Sequence, residues 1–396
     1  MLIKKIFCKN IIIVMLLTLG ITGFAGGSIA SASEVDSYIT NEETQQKLDG
    51  LYEYISKMKS DVELMNDLDA KEYISSYLEN GKGNISLSDV LSAVVSLLFK
   101  EVRTVLLLAA SIIVIGIICS LLKNLQSAFS SESVSQVAFY ACYALMVVVL
   151  SRSFLIGLNM AKDVIVQITD FISKILPILV IMLGAAGGLT QAATMDPIVL
   201  ALTVIIPKIY LNIIIPLILM CFVLQFANNI TSEPKISNLC GLVKKSVVWL
   251  QGIIITVYIG ILAVRGITSS TIDAVTMKTA KFTIDNFIPI VGKSFSDAIS
   301  SVAGYSLIIK NAIGAIGLII IILLIIYPII KIALTALIFK LSSALLEPIA
   351  DKRITKSIFA AGDSLVLINS CVLCVSLMFF VLIAIMCAAG KFVIGG

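Results

Sequence analysis

Residues 312–330 read AIGAIGLIIIILLIIYPII, nineteen positions without a charge. A helix of about 20 such residues crosses the roughly 30 Å hydrocarbon core of a bilayer. In lipid the backbone must satisfy its own polar groups, which a helix does. Similar runs occupy 104–122, 137–150 (continuing past Arg152 to 158), 175–189, 198–226, 247–264, 332–346 and 364–389. The expected fold is therefore all-α, a polytopic helical membrane protein of about six to eight spans. Composition agrees: 59% of residues are hydrophobic and 14% charged, where soluble domains are nearer half and a quarter.

The chain opens as an export signal, residues 1–32. Lys4, Lys5 and Lys9 precede an apolar stretch at 11–25, and Ala30-Ser31-Ala32 reads as a cleavage site. An uncleaved first helix is the alternative. Cys8 precedes the apolar region, which argues against a lipoprotein.

Charge divides the rest. Residues 34–102 hold 14 acidic side chains against 6 Lys, a net of −8, whereas 103–396 hold 11 acidic and 20 basic groups, a net of +9. An acidic extracytoplasmic segment at 33–102 thus precedes a basic membrane domain at 103–396. Leu48, Leu51, Tyr52, Ile55 and Met58 fall at helical spacing. NGKGN at 80–84 ends that pattern, and a second helix is expected from about 89. This segment is either a helical hairpin resting on the membrane domain or a docking surface for an extracytoplasmic partner. The basic excess suits anionic lipid headgroups, and no nucleic-acid motif accompanies it.

Catalytic signatures are missing. The chain has no His, which removes Ser-His triads, Cys-His dyads and imidazole metal sites. GKS at 292–294 lacks the upstream glycine of a phosphate loop, since that position is Phe287. Six of the eight cysteines are scattered, and Cys371 and Cys374 sit in an apolar run where thiols act as small hydrophobes. No cofactor or metal is expected.

Two basic loops look alike. SEPKISNLCGLVKKS and LEPIADKRITKSI each place Glu-Pro after a span, and Glu233-Pro234 and Glu347-Pro348 are 114 residues apart. Asp170 and Asp285 repeat at 115 and Pro177 and Pro289 at 112. This spacing suggests an internal duplication, about 163–265 and 280–389, of the kind whose broken helices mark transporter centres. Chance similarity between proline-containing loops is the competing reading. With three spans counted between them, the loops fall on opposite faces, and positive-inside counting does not orient the chain.

Charges among the spans are the functional candidates. Lys208 stands beside Pro207 within one long run; Lys331, between two runs, reads as a snorkelling lysine. Residues 281–317 gather Asp285, Pro289, Gly292, Lys293, Asp297, Gly304 and Lys310. They read as an amphipathic lead-in and a broken, partly re-entrant segment lining a cavity. An ordinary surface loop with an interfacial helix is the alternative.

DNFIPIVGKSFSDAISSVAGYSLIIKNAIGAIG, followed by YPIIKIALTALIFKLSSALLEP, resembles the stage III sporulation protein AE family of endospore-forming bacteria. The resemblance extends over essentially the whole chain and is densest from about 280 to 350. It implies a multi-pass protein of the mother-cell membrane around the forespore. The implied partners are the other stage III sporulation AA–AH proteins, including a cytoplasmic ATPase and ring-forming extracytoplasmic proteins. The implied function is a non-enzymatic component of a channel or secretion-like complex. A stand-alone solute permease and a scaffold that recruits the ring proteins are the alternatives.

Overall fold

The computed structural model describes residues 42–61, 69–80, 87–128, 132–230, 236–287 and 292–389. The expected signal, the Glu233-Pro234 pair and Pro289 lie outside them. Every described element is helical: α1 (Glu42–Asp61), α2 (Ala70–Asn80), α3 (Leu87–Ala128), α4 (Glu132–Ala185), α5 (Leu189–Ile209), a π-helical turn (Tyr210–Ile214), α6 (Ile215–Asn229), α7 (Ser237–Phe287), α8 (Gly292–Leu346) and α9 (Lys352–Ala388).

Six stretches among the described residues are long and apolar enough to cross a membrane: Val94–Leu122, Phe139–Ala185, Pro197–Asn229, Ser237–Val264, Ser301–Leu346 and Lys352–Ala388. The expected runs at 137–150 and 175–189 are two parts of α4, and those at 312–330 and 332–346 are two parts of α8. At 54 and 55 residues and 1.5 Å per residue, these helices are about 80 Å long and outrun any bilayer. Neither Arg152 nor Lys331 ends a helix, and α3 likewise passes from the acidic segment into the apolar run without a break.

The turns follow local chemistry. α4 reverses into α5 through Ala186-Gly187-Gly188, where Gly187 takes φ 90°, a backbone form that glycine adopts without strain. The Gly188 N–H returns to the Leu183 carbonyl at 3.0 Å and caps the helix end. Asp273 of α7 accepts the Thr190 N–H at 2.8 Å and so serves the orphan donors of α5. Pro207 and Pro216 bracket the π turn; each proline removes a backbone donor, and the widened turn accommodates the mismatch.

α8 and α9 pack against each other at the centre, with α4 against both. Ile313, Ile316, Ile320, Ile368, Val372, Val375, Phe379 and Ile383 are all fully buried. Close approach depends on glycine here: a Cβ on Gly317 would meet Ile175 at 2.6 Å and Ile383 at 3.2 Å, and one on Gly314 would collide with Cys387. The outer helices show an apolar surface, including Leu106, Leu107, Leu145, Val148, Val204, Val223, Ile253 and Trp249.

Contacts fix which ends meet. Ser120 near the end of α3 donates to the Ile349 carbonyl at 2.5 Å. Tyr143 near the start of α4 bonds Ser357 at 2.8 Å and reaches the Phe226 carbonyl of α6 at 3.5 Å. Lys244 near the start of α7 meets Asp363 of α9. The two basic loops therefore share one end of the bundle. Two long helices, α7 and α8, separate them, where the apolar runs had suggested three crossings; the expected opposite placement is corrected. Tyr77 of α2 lies near Cys387, so the acidic segment sits at the other end.

Of the expected break in 281–317, residues 288–291 with Pro289 lie outside the described residues, and the glycines that follow do not interrupt the helix. α7 continues to Phe287, and α8 starts at Gly292 and runs unbroken through Gly304, Gly314 and Gly317. Single glycines cost a helix only about 1 kcal/mol each, and the buried apolar side chains from Ile309 to Ile332 offset that cost.

Candidate functional site

The basic end holds a cavity of about 450 Å³ between α6, α7, α8 and α9. Gln225, Asn229, Lys244, Glu347, Lys356 and Asp363 supply its polar wall. Asp363 is the organising group. Its carboxylate takes Lys244 of α7 at 2.5 Å and Lys340 of α8 at 2.6 Å. Three helices are thus tied through one side chain, and the Lys340 ammonium also lies 5.2 Å over the Phe359 ring.

The α8–α9 turn is held from below. Asp351 caps α9 by accepting the Arg353 N–H at 2.7 Å and pairs with the Arg353 guanidinium at 3.2 Å. That guanidinium lies 4.0 Å over Phe139 of α4. Ser343 donates to the Thr355 carbonyl at 2.8 Å. Gly362 lets α9 approach α8, since a Cβ there would stand 3.1 Å from the Ala336 carbonyl. The cavity floor is therefore rigid, while Glu347, Lys352 and Lys356 remain exposed at its rim.

Two further polar clusters lie along the core. Lys331 pairs with Glu101 of α3 at 3.5 Å and donates to its own helix neighbour Tyr327 at 2.8 Å. It is not a snorkelling lysine: a partner 230 positions away in the chain receives it. Deeper, Gln251 of α7 donates to Cys371 at 3.1 Å and accepts from Ser370 at 2.9 Å, with Tyr210 of the π turn against Cys371 and Cys374. The C-x-x-C pair belongs to this hydrogen-bonded contact, and no group of three or more metal-ligating side chains occurs among the described residues.

Among the candidates read from sequence, Glu347, Lys310 and Lys208 lie apart from one another. Glu347 and Pro348 are exposed at the basic end. Lys310 is fully buried at the other end and donates to the Ala389 carbonyl, where a helix C-terminus concentrates negative potential. About 54 Å of α8 separates Lys310 from Leu346 at 1.5 Å per residue. Lys208 is exposed on α5. Gly304 has open space around it. Asp285 lies in α7, and Gly292, Lys293 and Asp297 lie in the first turns of α8. Asp363 and Lys340 escaped the sequence reading because each stands alone in its own segment, and Lys244 was visible only as part of a basic loop. A lone acid at the head of a charge-free run, Asp363 before 364–388, was the available signal.

The family model for stage III sporulation protein AE matches residues 68–390. The chain belongs to the stage III sporulation protein AE family. Stage III sporulation protein AE of Bacillus subtilis (strain 168) is 32% identical over 312 residues, 79% of this chain and 78% of that protein. No solved structure matches. The family match spans all six candidate membrane helices and both arms of the basic-end cavity. A multi-pass membrane protein of sporulation is the common ground of sequence, fold and family.

Proposed function

We propose that the chain is a non-enzymatic membrane subunit of the channel or secretion-like complex between mother cell and forespore, in the mother-cell membrane. Family membership carries this reading. The packed centre supports an assembly subunit over a stand-alone permease: α8 and α9 meet largely through apolar, fully buried side chains from Ile313 to Ile383, and the polar clusters around Lys331 and Gln251 are closed by their own partners. A scaffold that only recruits ring proteins is the remaining alternative.

Orientation follows from the shared end of the two basic loops. Lys244, Lys245, Lys352, Arg353 and Lys356 gather there, and lysine- and arginine-rich ends stay in the cytoplasm. The acidic α1 and α2 then face the forespore side. A cytoplasmic ATPase would meet the cavity around Asp363, and ring-forming proteins would meet α1 and α2. Any energy from ATP comes from that partner, since the chain lacks a nucleotide motif.

Reconstitution tests the reading. Flux of a small polar tracer through liposomes should need the partner proteins together with this chain. Flux with this chain by itself would establish the permease, and partner recruitment with no flux would establish the scaffold.

A further inference from the structure

The outer face of α4 changes character along its length. Leu155 and Ile156 are exposed near its middle, and then Asn159, Asp163, Asp170, Ser173 and Lys174 are exposed at helical spacing. Contacts give the depth of this stripe. Gly157 packs beside Leu365 and Ile332, and Ile175 beside Gly317, which in turn abuts Ile383. Residues 157–175 therefore run alongside 365–383 of α9, a stretch without a charge. Phe154 stacks on Phe222 at 3.8 Å, which sets the neighbouring, oppositely directed α5–α6 rod in register. Over the same depth that rod exposes Val204, Ile205, Ile213 and Leu219.

Two adjacent helices thus differ at one level. One shows lipid-compatible side chains, and the other shows two carboxylates and, toward the acidic end, the Lys174 ammonium. An aspartate has a single methylene and cannot lift its charge to the interface as a lysine can, so hydrocarbon is an unsuitable neighbour for this face. α1 packs against α4, yet Asp163, Asp170 and Lys174 stay exposed with α1 in place. None of them makes an ion pair or hydrogen bond among the described residues.

The apolar rod carries one exception. Lys208 is exposed on α5 and is likewise unpaired among the described residues. Tyr210, two positions on, lies against Cys371 and Cys374, which puts Lys208 within the same 365–383 level. The chain therefore presents an ammonium on one outer helix and two carboxylates on the next, at a common depth.

We infer that copies of this chain associate side by side in the membrane, the Lys208 face of α5 in one copy against the Asp163 and Asp170 face of α4 in the next. Copies in one bilayer share their depth, so groups at one level are the ones that meet. Val166 on α4 and Val204 and Ile205 on α5 surround the charges with an apolar rim. The contact joins two different faces, so it repeats from copy to copy and closes as a ring or continues as a row. An apolar partner would leave the carboxylates buried and unpaired. The contact does not depend on the channel reading.

The test uses the full chain in lipid bilayers, with subunits counted by single-molecule photobleaching as surface density rises. Wild type should shift from single copies to assemblies. Lys208→Glu should raise the density needed at least tenfold, and Lys208→Glu combined with Asp163→Lys and Asp170→Lys should restore it. A variant carrying both Lys208→Cys and Asp170→Cys should form oxidised ladders, while either single variant should not. Unchanged thermal unfolding of each variant separates lost association from lost folding. Single copies at every density, an unaffected Lys208→Glu variant, or cross-links formed only to other membrane proteins would each overturn the inference.

Discussion

Lys244 and Asp363, 119 residues apart in the chain, meet with 2.5 Å between Nζ and Oδ2. This one contact decides the side on which two loops lie. It requires an even number of crossings between the Glu-Pro segments, and α7 and α8 supply two. Single cysteines at Ser237 and at Glu347, both exposed, should react with a membrane-impermeant maleimide from the same side, and from the cytoplasm. Reaction from opposite sides would refute the bundle order.

The same carboxylate predicts a stability change. Asp363→Asn leaves Lys244 and Lys340 facing each other without their counter-charge. Breaking a partly buried ionic contact by removing one partner costs on the order of 1–3 kcal/mol, and melting in detergent should fall by several degrees. Asp363→Asn with Lys340→Met should recover part of the loss, because the second change removes one uncompensated ammonium.

Gly304 and Gly314 lie on one helix and should respond in opposite ways. A side chain at Gly304 meets nothing within 4 Å, and Gly304→Ala should stabilise α8 by up to about 1 kcal/mol through helix propensity. Gly314→Ala drives a methyl into Cys387 and should destabilise by roughly 1–3 kcal/mol from overpacking. Thermal unfolding of the two variants is the measurement. Equal behaviour would mean that α8 and α9 do not approach at Gly314.

Glu101 and Lys331 provide a pair test. Lys331→Met or Glu101→Gln should each destabilise, and the double variant should cost less than the sum of the two, with a coupling of about 0.5–3 kcal/mol. Additive losses would show that the two side chains do not interact.

At the other end of the bundle, Asp69 precedes α2 and accepts the Lys71 and Glu72 N–H groups at 2.9 and 3.1 Å. The backbone N–H of Glu72 is the main cause that holds its carboxyl below the usual range, with the Lys71 N–H and the charges of Lys59 and Lys71 adding to it against slight desolvation. A depressed folded-state pKa stabilises above the ordinary carboxylate value, and the contribution disappears as pH falls through the folded-state value. Asp69→Ala should cost about 1 kcal/mol of local stability at neutral pH and almost nothing in strong acid. Amide exchange across 70–80 reports it.

The spans were legible in the sequence because apolar runs of bilayer length are strong signals, and the helical spacing of Leu48, Leu51 and Ile55 located α1. The number of crossings was not legible. Hydropathy stops at a charge, yet Lys331 stays inside α8 because Glu101 and Tyr327 receive it, and Arg152 stays inside α4 because it can face outward. Lys331 turned one helix into two apparent spans, as the polar stretch 159–174 did in α4, and the span miscounted at Lys331 reversed the relative sides of the basic loops. Glycine misled in the same way. Gly314 and Gly317 are contact points for α9, and Pro328 sits within α8, because neighbouring helices sustain a backbone that proline alone would interrupt. The basic-end cavity was half visible through Glu347. Its centre, Asp363, depends on lysines from two other helices, a pairing that no local pattern encodes.

The central position of α9 bears on how the protein is made. α9 follows every other described helix in the chain, yet it supplies the surface on which α4 and α8 close, and Lys310 waits for the Ala389 carbonyl. While the ribosome is still producing α9, the preceding helices have entered the bilayer with their most apolar inner faces unmatched. Closure of the bundle is therefore a late event of biosynthesis, and a chain that stalls before Lys352 leaves α4 and α8 inserted with their α9-facing surfaces uncovered for the quality-control proteases of the membrane.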